Sequence, residues 1–211
     1  MALELGSGLW LSLLGICLLG AMSPGPSLAV VISSTVQHGR SGGYLAAVAH
    51  GIGVALYGLL TVTGLALLIT NSTSLYTAIQ IAGAAYLIYM GIALLRSKGA
   101  NTQQDAPSTL RNPATSGFLV AFLNPKLAVF MLALFSQFLQ PNFGWAEKSI
   151  MVATVGITDA TWYALIATLI AQPRFLATLR SNAQTLDRVF GVVLIVLALS
   201  VLLNAAGVFA R

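Results

Sequence analysis

Two charged residues stand apart in this 211-residue chain: Lys126 and Asp159 each lie deep inside an apolar run, while all other charges fall at loops, run ends or termini. A charge held at the centre of a membrane segment costs about 2.5–3.5 kcal/mol on insertion scales and usually marks an ion or substrate path. One chemistry open to the pair is recognition: Lys126 takes a substrate carboxylate, and Asp159 meets a substrate ammonium or carries a proton. The alternatives are a Lys126–Asp159 pair that only staples two helices, and a Lys126 side chain that snorkels to the cytoplasmic surface.

Both charges lie near unusual backbone. Ser23-Pro24-Gly25-Pro26 falls midway along the first apolar run. Two prolines remove two backbone donors and glycine loosens the turn between them, so a continuous helix is not expected there. Ser before Pro is the grammar of a starting helix, and Asn124-Pro125 repeats it just before Lys126. A proline kink is the plain reading. The functional reading is a pair of half-helices whose unpaired N–H groups and positive dipole ends, with Lys126, bind an anionic group.

These residues need a membrane to position them. The chain is 57% hydrophobic and 7% charged with a mean hydropathy of +0.88, whereas soluble domains are about 25% charged. Apolar runs at 9–36, 44–70, 75–95, 116–139, 149–171 and 189–209 are each long enough to cross a bilayer. The fold class expected is therefore an all-α polytopic membrane protein with six transmembrane helices, in one domain over 1–211. Repeat one covers about 1–95, the polar stretch at about 96–115 is a cytoplasmic linker, and repeat two covers about 116–211.

Short echoes between the halves support a repeat. Ser23-Pro24 resembles Asn124-Pro125, Gly51-Ile52 resembles Gly156-Ile157, and Ile81-Ala82-Gly83 resembles Val189-Phe190-Gly191, in order and with similar spacing. Three spans per half is an odd number, so the halves must be inverted, the plan of many secondary transporters. Arg40, Arg96, Lys98, Arg111, Arg174, Arg180 and Arg188 share one side, against Lys148 and Arg211 on the other. The positive-inside rule then puts those loops in the cytoplasm and both termini outside.

Depth ties the features together. At 1.5 Å per residue, Asn124 lies ~13 Å, and Asp159 ~15 Å, from the nearer starts of their spans. Pro24 lies ~18–23 Å from the ends of its own span, so all three fall near the middle of a ~30 Å core. His50, in a glycine-rich stretch of span two, is a possible proton relay with Asp159, or simply a packed histidine. Gly51, Gly53, Gly58, Gly83 and Gly91 suit close helix approach and leave packing surface for a homodimer. Tyr57, Tyr86, Tyr89, Trp162 and Tyr163 read as packing, interfacial belts or a path lining, and Trp10 and Trp145 as outer anchors. Cys17 is alone in an apolar run, a packed hydrophobe.

Catalytic, nucleotide and metal motifs are missing from the sequence, so no enzyme activity, cofactor or metal is expected. Scattered basic residues make no phosphate-binding patch, which argues against nucleic acid despite a net charge of +5. The reading that joins these residues is a secondary active transporter in the cytoplasmic (inner) membrane, working by alternating access round a midplane site. The alternative is a passive pore or channel for small solutes. The nominated site is Ser23, Pro24, Gly25, Pro26, Asn124, Pro125, Lys126 and Asp159, with His50 beside it.

The chain resembles the LysE/RhtB superfamily of bacterial amino-acid exporters. The likeness is carried by Ser-Pro-Gly-Pro at 23–26, Gly39-Arg40 with Gly43, Ala-Gly-Ala-Ala-Tyr-Leu at 82–87 with Gly91, Phe-Leu-Asn-Pro-Lys at 122–126, Gln137-Phe138 and Asp159. It implies efflux of amino acids or similar metabolites, driven by the proton gradient, with Pro24, Gly25, Pro26, Asn124, Pro125, Lys126 and Asp159 in the functional core. Two features depart from the pattern: Ser136 stands where many relatives have Pro, and Gly53-Val54-Ala55-Leu56 where many carry a polar or acidic residue. Both bear on the substrate more than on the fold.

Overall fold

The computed structural model describes residues 6–23, 25–97, 112–170, 177–178 and 181–205. Among these residues seven α-helices and no strands occur: α1 Ser7–Met22, α2 Pro26–Asn71, α3 Thr73–Leu95, α4 Pro113–Phe122, α5 Pro125–Phe138, α6 Trp145–Leu169 and α7 Ala183–Ala205. The polar separators set most of the boundaries. Ser72 Oγ accepts from Leu75 N at 3.4 Å to start α3. Asn112 Oδ1 accepts from Ala114 N at 2.9 Å to start α4, with Pro113 at its first position. Glu147 Oε2 accepts from Gly144 N at 3.0 Å and closes the first turn of α6.

The stretch 37–43 reads as a separator between spans, yet the chain there stays helical on both sides of one residue. Gly39 takes φ 71° and ψ −174° inside α2, a left-handed region that side chains other than glycine's disfavour. A straight helix of this length would extend ~70 Å, more than twice a ~30 Å hydrocarbon core. Instead the chain turns back at Gly39. Leu28, Val30 and Val31 share one buried cluster with Ala46 and Ala47, and a Cβ added at Gly43 would collide with Thr35 Oγ1. Residues 36–41 are exposed at the corner.

Among the described residues four helices are long and apolar enough to cross a membrane: Pro26–Leu67, Ser74–Leu95, Trp145–Leu169 and Ala183–Ser200. A fifth crossing results if α4 and α5, bent by 57° at their junction, count as one. α1 is a shorter apolar helix. The first apolar run, expected over 9–36, is broken where the prolines stand: α1 ends at Met22 and α2 begins at Pro26.

Packing pairs helices of the two halves. α2 lies against α6 and α4, and α3 against α7 and α5. A Cβ built on Gly51 would come 2.7 Å from Gly156 O, and one on Gly156 would come 3.0 Å from Gly51 O. Gly91 and Gly191 meet in the same reciprocal way, at 2.7 Å each. Such backbone approach is the means by which membrane helices gain van der Waals contact when lipid supplies no hydrophobic drive. The main buried cluster runs from Leu13 and Cys17 of α1 through Phe130, Leu134 and Phe135 of α5 to Phe190 and Leu194 of α7.

Candidate functional site

Both helix breaks open onto one cavity of about 100 Å³. Ser23, Gly25 and Pro26 reach it from the first break, Asn124 and Lys126 from the second, and His50 and Asp159 from α2 and α6. Seven of the nine nominated residues therefore line a single space. Pro24 lies outside the described residues, and Pro125 opens α5 directly behind Asn124.

The second break is held by its own side chain. Asn124 Oδ1 accepts from Lys126 N at 3.0 Å and Leu127 N at 3.3 Å. This corrects the expectation of free N–H groups at that half-helix. Two of its donors are already taken, so what the α5 start offers an anion is the Lys126 ammonium and the dipole rather than those two amides.

The charges also pair differently from the stapling alternative. Asp159 Oδ2 stands 2.6 Å from His50 Nδ1, the one acid–base side-chain contact within bridging distance among the described residues. Asp159 is 8% exposed and His50 1%. The His50 ring meets Tyr163 edge to face at 5.0 Å between centroids. The histidine is thus packed and polar at once, which joins the two readings the sequence left open. With Asp159 ionised, Nδ1 donates to the carboxylate. His50 Nε2 is then left buried without a partner, which in a native interior calls for an explanation. Lys126 is exposed and lines the cavity. The carboxylate whose charge bears on it is Asp187.

Asp187 escaped the sequence reading. Next to Arg188 at the start of α7 it looks like a span-end charge, yet it is only 2% exposed. One oxygen accepts from Ser23 Oγ at 3.1 Å and the other from Ser97 Oγ at 2.8 Å. It thereby ties the first break to the end of α3. Glu147 is likewise buried, as a helix cap. Two carboxylates at span ends, Asp187 and Glu147, are thus buried alongside Asp159. A serine at a helix break with a serine just past a span end was the available signal, but partners so distant in sequence share no pattern.

Other expectations divide. Trp10 Nε1 donates to Thr154 Oγ1 at 2.9 Å, which ties the start of α1 to α6. Trp145 is exposed at the α6 start with Lys148 over its ring, which suits an interface. Of the aromatic residues considered for a path, Tyr163 lines the cavity. Cys17 is buried and also lines it. Ser136 packs at the seam of α3 and α5, where its carbonyl accepts from Tyr76 and Gln80, whereas Val54 faces the cavity.

Known proteins resemble this chain over most of its length. The family description "LysE type translocator" matches residues 18–205. A threonine efflux protein of Salmonella typhi is 29% identical over 79% of this chain and 84% of its own. The threonine efflux protein of Escherichia coli K12 is 27% identical over 85% and 90% respectively. An uncharacterized membrane protein of Pseudomonas aeruginosa is 29% identical over 69% of this chain and 70% of its own. No solved structure matches the chain.

Proposed function

We propose, from the premise that the chain belongs to the LysE type translocator family, that it exports amino acids across the cytoplasmic membrane in exchange for protons. Relatives named threonine efflux proteins support the amino-acid class. The observation that carries the reading is that one cavity gathers both helix breaks, the exposed Lys126 and the buried His50–Asp159 pair.

In this reading the substrate carboxylate lies against Lys126 and its ammonium against Asp159. Opposite charges ~4 Å apart attract by ~4 kcal/mol at an effective dielectric of 20, enough to offset part of the cost of removing a zwitterion from water. A proton arriving on the His50–Asp159 pair cancels the charge that holds the ammonium. Substrate and proton thus compete for one carboxylate, and that competition couples their opposite movements. Alternating access supplies the path, with one three-span half rocking against the other.

Two features support six spans in inverted halves: the fold-back at Gly39, which divides α2 into two arms, and the reciprocal meeting of Gly51 with Gly156 and of Gly91 with Gly191. With α1 continued by the first arm of α2, and α4 by α5, each half has three crossings. The basic loops then face the cytoplasm and both termini face outward.

The test is accumulation in proteoliposomes. A pH gradient should drive a labelled amino acid above its equilibrium level in vesicles carrying the protein, and Lys126→Met should abolish this while the protein remains folded and inserted. Simple equilibration, indifferent to the gradient, would establish a pore instead.

A further inference from the structure

The lining of the cavity divides into two chemical classes, and the following inference rests on the exporter reading above. Its charged class is Lys126 with the His50–Asp159 pair. Its apolar class includes Phe130, Phe190, Met90, Met131 and Leu127. Phe130 and Phe190 meet edge to face, 6.1 Å between centroids and 68° between planes. Gly20 abuts them: a Cβ there would come 3.2 Å from Phe190 Cζ and 3.7 Å from Phe130 Cζ. The two methionines bring flexible, polarisable thioethers that adapt to apolar groups of varied shape.

Two of the polar groups at the breaks are engaged: Ser23 donates to Asp187, and Asn124 Oδ1 accepts two backbone amides. Among the described acids, both oxygens of Asp187 hold serine hydroxyls, and Glu147 caps the start of α6. Once Asp159 holds the ammonium, no described carboxylate is free to meet a cationic side chain. A charge buried without a partner is strongly disfavoured, and so, to a lesser degree, is a hydroxyl. His50 Nε2, buried without a partner, shares a ring with the nitrogen that contacts Asp159, which assigns it to the same ammonium.

We infer that the exported amino acid carries a large, uncharged, apolar side chain of the leucine, methionine or phenylalanine kind, seated against Phe130 and Phe190. Gly20 sets the room left for it. The side-chain position is therefore selected by shape and dryness, while Lys126 and Asp159 read the backbone groups common to all amino acids.

Counterflow in proteoliposomes tests this without depending on proton coupling. Vesicles carrying the full-length protein are loaded in turn with leucine, methionine, phenylalanine, threonine or lysine, and exchange of the labelled counterpart is measured. At least one of the first three should exchange about tenfold or more faster than threonine and lysine, the scale on which apolar pockets discriminate. Gly20→Val should shift preference about tenfold from phenylalanine towards smaller side chains. If that variant does not fold, the wild-type ranking alone decides. Threonine or lysine exchanging as fast as the best apolar substrate overturns the side-chain assignment and leaves amino-acid export standing. Exchange of none of the five by folded protein overturns the exporter reading itself.

Discussion

Replacing Asp159 by Asn separates a transport carboxylate from a structural one. The amide has the same shape, and its oxygen still accepts from His50 Nδ1, 2.6 Å from the present carboxylate oxygen, so the α2–α6 seam keeps its hydrogen bond. What is lost is the charge. Truncating one partner of a buried charge pair costs ~2–5 kcal/mol, which at 1.4 kcal/mol per decade is a ~30- to 4,000-fold loss of substrate affinity. Stability should fall far less, because a neutral hydrogen bond remains, with a net worth of ~0.5–1.5 kcal/mol. Counterflow at saturating and subsaturating substrate, set beside thermal unfolding of the detergent-solubilised protein, reads the two effects apart. A variant that transports at the wild-type rate and affinity would refute the assignment of the ammonium to Asp159. One that loses transport only in proportion to lost folded protein would return the pair to a structural staple.

Other outcomes follow from single contacts. Asn124→Ala removes the cap on α5 and should lower stability by ~1 kcal/mol, seen as a lower unfolding temperature, with transport retained in the protein that folds. Gly39→Ala forces a side chain into φ 71° and should cost ~1–2 kcal/mol by the same measurement. Gly156→Leu pushes a side chain into Gly51 O and Ala55 and should reduce the yield of folded protein in the membrane. Asp187→Ala removes the acceptor of the Ser23 hydroxyl, which should destabilise by ~1–3 kcal/mol. Asp187→Asn, which still accepts at one oxygen, should recover part of that loss.

The elements were legible where local chemistry decides them. Apolar run lengths, Asn124 as a cap, and prolines at 24, 26 and 125 all act within a few residues of themselves, so the sequence displays them. The convergence of both breaks with Lys126 and Asp159 was also legible, because depth in a bilayer is counted along each helix separately. Lateral relations were not. That His50 rather than Lys126 meets Asp159 depends on the rotation of α2 about its own axis, set by the Gly51–Gly156 contact. The fold-back at Gly39 hides for a related reason: one left-handed glycine does the work of the loop expected over 37–43.

The lateral relation matters most for mechanism. A direct Lys126–Asp159 bridge would leave the cavity electrically closed, and a zwitterion would have to break that bridge in order to bind. In the observed arrangement Asp159 is held by the His50 imidazole, and Lys126 is engaged by no carboxylate within bridging distance among the described residues. The two charges are therefore available separately. His50 also gives Asp159 a partner whose own charge responds to protons, so the empty site keeps a satisfied carboxylate without spending Lys126 on it. Replacing His50 by Gln preserves one hydrogen bond to Asp159 but removes that response. If proton and substrate compete as proposed, His50→Gln should keep counterflow and lose much of the pH-gradient-driven accumulation. Accumulation undiminished in this variant would assign the coupling proton to Asp159 alone.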